Sequence, residues 1–218
     1  MTSFALTWLA LAIIAAVLDW IAVGLEHRRL EYVAKPAVMV ALIGLALTLQ
    51  PGSAASEAAR PWFVGALVLS LVGDVLLMLP RERFVGGLVA FLAAHVAYVV
   101  GLVAVVAGAG LVVGGLILGL LVVGTMLALV GRPVVRAVRV GRPGLVLPVV
   151  AYLVVISTMV VAAFATGRPF AMIGAILFYA SDAILAWDRF VGRQRFGRVG
   201  THVTYHAGQA LLVLSLLG

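Results

Sequence analysis

What most constrains this chain is a succession of apolar runs, several of 18 residues or more, separated by short turns. About 20 such residues cover the hydrocarbon core of a bilayer. Backbone N–H and C=O groups in hydrocarbon must be satisfied within their own segment, so each run is read as a helix. The sequence therefore predicts an all-α integral membrane protein with eight transmembrane helices, near residues 4–24, 33–49, 62–79, 85–106, 111–131, 145–166, 170–188 and 199–217 of a single transmembrane domain. Composition agrees: 65% of residues are apolar and 11% charged, against roughly 45–50% and about 25% in a soluble domain. The turns carry the expected breakers, among them Pro51-Gly52-Ser53, Pro80, Gly141-Arg142-Pro143-Gly144 and Gly167-Arg168-Pro169. With no cysteine, disulfide and thiolate chemistry are excluded.

The basic residues orient the bundle. Of fifteen Lys and Arg, thirteen fall in odd-numbered loops and only Arg60 and Arg168 in even-numbered ones. Positive charge marks the cytoplasmic side, so both termini are expected outside. The net charge of +7 is thus a topology signal, and no nucleic-acid partner is expected. The first run lacks a basic leader and contains Asp19, so it is read as a span and not a cleaved signal. The Ala/Val/Gly/Arg-rich composition suggests a bacterial inner membrane.

Two stretches of the chain resemble each other. Gly73-Asp74-Val75-Leu76-Leu77-Met78 aligns with Ser181-Asp182-Ala183-Ile184-Leu185-Ala186, and each leads to an Arg-Phe pair, Arg83-Phe84 or Arg189-Phe190. His95 and Tyr98 follow Asp74 at nearly the spacing with which His202 and Tyr205 follow Asp182. Two four-helix halves are expected, repeated in parallel about an axis along the membrane normal.

Ionisable side chains inside spans are costly, which makes them functional candidates. Here they are Asp19, Asp74, His95, Asp182, His202 and His206, with Lys35 at the start of a span. At about 1.5 Å per residue, Asp74 lies about 7 Å and Asp182 about 9 Å from the inner helix ends. His206 lies about 10 Å and His95 about 15 Å in. All can line one cavity opening toward the inner leaflet, while the outer half holds almost no ionisable groups. Each also has a structural reading: Asp74 or Asp182 pairing with Lys35 or an arginine, Asp19 solvated at the interface, His202 and His206 bonding neighbouring helices. Ser157 and Thr158 lack a Gly-x-Ser-x-Gly setting, so serine hydrolysis is discounted.

Tyr32-x-x-Lys35-Pro36, Gly73-Asp74-x-x-Leu77 before Phe84-x-x-Gly87, His95-x-x-Tyr98, and Tyr179-x-Ser181-Asp182 followed by Arg189-Phe190 together resemble the YhhN-like family, from the second span to the eighth. That family includes the lysoplasmalogenases, multi-span membrane enzymes. The resemblance implies hydrolysis of the vinyl ether bond of a lysophospholipid to a fatty aldehyde and a glycerophospho-headgroup. It places the catalytic pair on Asp74 and Asp182; no metal and no cofactor are expected. Such chemistry needs an acid to protonate the alkene and a carboxylate to stabilise the oxocarbenium ion and activate water, as in glycosidases. Lys35 is then expected to bind phosphate, His95 and His206 to orient water or relay protons, and Tyr98 or Tyr179 to bond the ether oxygen; Ser181, Asp19 and His202 support. Two rivals stand beside this reading. One is a metal-dependent hydrolase using His95, His202, His206 and an aspartate as ligands; the other is a proton-coupled transporter.

Overall fold

The structure, a computed structural model, describes residues 2–79 and 83–218. Pro80 and Arg81 of the third loop lie outside the described residues. Eight long helices follow in order among those described: α1 Ser3–Gly24, α2 Arg28–Thr48, α3 Ala54–Met78, α4 Phe84–Ala109, α5 Val113–Gly141, α6 Pro143–Ala165, α7 Pro169–Phe190 and α8 Gly197–Leu214. The described residues form no strand. Helices α1 to α7 are seven segments long and apolar enough to cross a bilayer, and the chain is a multi-pass membrane protein. The expected eighth span corresponds to α8, which is more polar because it carries Arg198, Thr201, His202, Thr204, His206 and Gln209.

Consecutive helices pair: α3 packs on α4, α7 on α8 and α1 on α2, with α4 against α6. The α7–α8 contact is close because Gly174 faces Gly208. A Cβ at Gly208 would sit 2.8 Å from the Phe178 nitrogen and 2.9 Å from the Gly174 oxygen. Small residues at such crossings let backbones approach, which supplies the dispersion contact that drives association in lipid.

The fifth helix departs from the sequence reading. The stretch from Arg132 was expected to be a loop, yet helix continues to Gly141. Pro133 lacks the N–H needed for an ordinary helical bond. The chain accommodates it with a π turn over Leu127–Gly131, in which the Arg132 N–H reaches the Leu127 oxygen. Beyond the proline, Val134 and Val138 are buried against Val149, Trp187 and Phe190, while Arg132, Arg136 and Arg139 are exposed. This amphipathic spacing sustains the helix.

The two ends of the bundle differ. At one end, Thr2 Oγ1 donates to the Thr48 oxygen at 3.2 Å and the Gly52 N–H to the Leu216 oxygen at 2.9 Å, so both termini lie there. Arg168 ties that end together, donating to Ser56 Oγ at 2.7 Å and to the Ser215 oxygen at 3.0 Å. At the opposite end, around the helix ends at Gly24, Met78 and Phe190, lie the buried carboxylates and histidines.

Candidate active site

Asp74 stands one turn before the end of α3, Lys35 two turns into α2, and Asp182 two turns before the end of α7. These placements bring both aspartates and Lys35 to one cavity of about 320 Å³, whose mouth carries Arg28, Arg193 and Arg198. Of the six ionisable side chains expected to line one cavity, Asp74, Asp182 and His202 line it, whereas Asp19, His95 and His206 do not.

Asp74 is 1% exposed. Its Oδ1 lies 2.8 Å from Lys35 Nζ, and its Oδ2 accepts from the Tyr205 hydroxyl at 2.7 Å. Lys35, expected to bind phosphate, is thus engaged by a carboxylate. Tyr205, which the sequence marks only as the repeat partner of Tyr98, sits on α8 with Phe91 and Phe178 edge-on to its ring, at centroid distances of 5.9 and 5.4 Å. Phe91 and Tyr205 line the cavity, with Phe178 packed against both.

Asp182 has a different setting. Its side chain is 16% exposed, and His95 Nε2 lies 3.6 Å from its Oδ2. The Tyr152 hydroxyl donates to Oδ2 at 2.5 Å and Ser181 Oγ lies 3.2 Å from Oδ1. Ser181 Oγ also reaches the Phe178 oxygen at 2.8 Å. His95 Nδ1 lies 2.6 Å from the Phe91 carbonyl oxygen. A carbonyl only accepts, so Nδ1 carries hydrogen and, in the neutral ring, Nε2 presents its lone pair to Asp182.

Asp182 also borders a second, apolar slot of about 70 Å³, between α4, α5, α6 and α7, walled by Leu88, Val130, Val134, Leu153 and Ile156. Leu77, Phe84, Phe91, Leu185 and Arg189 belong to both spaces. The Arg189 guanidinium lies over the Phe84 ring, 4.6 Å from its centroid. Polar cavity and apolar slot therefore meet at Asp182.

Asp19, His202 and His206 form a neighbouring network. His202 Nδ1 is 2.6 Å from Asp19 Oδ2, and Glu31 Oε1 is 4.0 Å from its Nε2. Arg198 Nη2 donates to both Glu31 oxygens, at 3.0 and 2.8 Å. Trp20 Nε1 donates to His206 Nδ1 at 3.2 Å. Both histidines thus have their Nδ1 occupied by neighbours, and among the described residues no three His, Asp or Glu side chains gather as a metal-ligand set. Of the tyrosines expected at the ether oxygen, Tyr98 is fully buried and donates to Gln209 Oε1 at 2.5 Å, away from the cavity lining, whereas Tyr179 lines the apolar slot.

Tyr152, Glu31, Arg198, Trp20 and Gln209 escaped the sequence reading. Tyr152 had a usable signal, being a tyrosine set among aliphatic residues of α6; a buried hydroxyl needs a partner. Glu31 and Arg198 lie at helix starts, where a charge reads as solvated.

Comparison with known proteins gives a consistent result. The YhhN family pattern matches residues 30–216. The rat protein lysoplasmalogenase TMEM86B is 37% identical over 174 residues, 79% of this chain and 69% of the relative. Its mouse counterpart is 35% identical over 215 residues, 96% of this chain and 86% of the relative. The lysoplasmalogenase of Mycobacterium bovis is 35% identical over 136 residues, 61% of this chain and 51% of the relative. No solved structure matches.

Proposed function

Because the chain belongs to the YhhN family, we propose that it is a membrane hydrolase that cleaves the vinyl ether bond of a lysoplasmalogen or related lyso-ether lipid by a two-aspartate mechanism. The observation that carries this reading is the pair of aspartates with contrasting partners on one cavity, one of them bordering an apolar slot. A single-chain lipid has a matching division: a phosphate for Arg28 and Arg193 at the mouth, a vinyl ether near Asp182, and an alkenyl chain leading into the slot.

The partners support one division of roles. Burial alone would make Asp74 the acid, since it is the less exposed. Its partners reverse that: an ammonium pairs with one oxygen and a phenol donates to the other, and an ionised carboxylate suits both. Asp182 faces the His95 Nε2 lone pair, a position that accommodates a protonated carboxyl. Asp182 delivers its proton to the alkene carbon remote from oxygen; the π pair forms the new C–H bond and the ether oxygen shares its lone pair, giving an oxocarbenium ion. Asp74 stabilises that cation and takes a proton from water as the water oxygen bonds the adjacent carbon. The hemiacetal then collapses. Its hydroxyl proton restores Asp182, Asp74 returns its proton to the departing glycerol oxygen, and a fatty aldehyde is released.

On this reading α8 is an eighth crossing, both termini lie outside, and the cavity opens to the inner leaflet of a bacterial cytoplasmic membrane. The proposed repeat rests on the sequence pattern; its equivalent residues make different contacts, His95 approaching Asp182 and His202 Asp19, Tyr205 bonding Asp74 and Tyr98 Gln209.

The test is mass spectrometry of purified protein incubated with lysoplasmenylethanolamine and with its saturated ether analogue. Aldehyde from the vinyl ether alone, lost in folded Asp74→Asn and Asp182→Asn variants, is the expected result. Full activity in either variant would remove the dyad, and no aldehyde from wild type would remove the activity.

A further inference from the structure

The arginine face of α5 has no counterpart in the reaction. Arg132, Arg136 and Arg139 lie on one side of the helix, at positions that share a face, and all three are exposed. None of them has a carboxylate partner among the described residues. They rim a groove of about 740 Å³ between α5 and α6. Away from the arginines the groove is mostly apolar, lined by Leu120, Leu127, Val154 and Val161, with Ser157 and Thr158 as its polar residues. At about 1.5 Å per residue, Leu120 lies about 18 Å beyond Arg132. One leaflet contributes about 15 Å of hydrocarbon, half the thickness of the core. Charge at one end and apolar length at the other thus match the dimensions of one phospholipid.

We infer that this groove is a binding site for an anionic phospholipid of the leaflet at the cavity end, its phosphate held by Arg132, Arg136 and Arg139 and an acyl chain lying against Leu120 and Val154. Basic pockets between transmembrane helices recognise anionic headgroups in this way, and guanidinium forks suit phosphate oxygens. The site is separate from the cavity of Asp74. Its opposite wall, Val130 and Val134 on α5, faces the apolar slot, and Leu153 of α6 lines both spaces.

The experiment is native mass spectrometry of the full chain released from nanodiscs of phosphatidylcholine mixed equally with phosphatidylglycerol. Wild type is expected to retain phosphatidylglycerol in preference to phosphatidylcholine. Retention should fall roughly fivefold for each arginine replaced in the series R132Q, R136Q, R139Q, given about 1 kcal/mol per basic residue near an anionic surface. Val154→Trp, which fills the groove and leaves the arginines in place, is expected to release the lipid as well, and Arg28→Gln with Arg29→Gln to leave it bound. Equal retention of the two lipids, or retention undiminished in the triple arginine variant, would overturn the proposal. So would retention undiminished in a folded Val154→Trp protein, because it would reduce the site to a charged surface. None of these readouts depends on hydrolysis, so failure here and failure of the proposed activity are distinguishable.

Discussion

Asp74 and Asp182 lie in similar sequence segments, one turn before the end of α3 and two turns before the end of α7, yet their surroundings diverge. Asp74 is enclosed between an ammonium and a phenol. Asp182 is held by Tyr152 and Ser181 beside an imidazole nitrogen, on the border of an apolar slot. Two similar sequence segments have thus been given different chemistry by what neighbouring helices bring to them: Lys35 from α2 in one case, Tyr152 from α6 in the other. In an acid and a carboxylate made from the same residue type, such asymmetry fixes which of the two holds the proton.

That contrast can be broken experimentally. The largest effect is expected from Asp182→Asn, which removes the acid; kcat should fall about 10⁴-fold, the upper range for general acid–base groups, with thermal unfolding in detergent little changed. A fall of less than tenfold would mean that Asp182 is not the acid. Next comes Lys35→Met. Leaving the buried Asp74 carboxylate without its partner is expected to cost about 3–5 kcal/mol of stability, and adding Asp74→Asn should restore folding without restoring activity. Denaturant titration of the single and double variants checks this; additive losses would dissolve the pair. Tyr152→Phe removes one donor to Asp182 and is expected to change kcat about fivefold at about 1 kcal/mol in stability. Smallest in the assay is Tyr98→Phe: the Tyr98–Gln209 bond lies outside the cavity, so about 1 kcal/mol of stability should be lost with kcat unchanged. A large kcat effect there would bring the deeper polar pair into the site.

The sequence carried the helices because apolar runs long enough to cross the hydrocarbon core admit few other readings, and it carried the shared end of Asp19, Asp74, Asp182 and the histidines because depth follows from counting along a helix. Pairing is another matter. Lys35 with Asp74, Tyr152 with Asp182, and Arg198 with Glu31 join residues from helices distant in sequence, and which faces meet is decided by packing. The arginine segment of α5 was legible in principle: Val134 and Val138 alternate with Arg132, Arg136 and Arg139 at helical spacing. Charge density and Pro133 obscured that periodicity, and only the π turn shows how the helix survives the proline.

The Phe91 carbonyl has a consequence for energetics beyond the site. It occupies Nδ1 of His95, so a single nitrogen of that ring remains to exchange protons with Asp182. A ring fixed in this way stores a proton without conducting it. On the proposed reading, every proton taken from the cavity returns to the cavity, and none is passed toward the far end, where Arg168 closes the bundle on hydroxyl and carbonyl oxygens. Hydrolysis would then be electrically silent, neither drawing on the transmembrane proton gradient nor leaking it, and would run alike in energised and de-energised membranes.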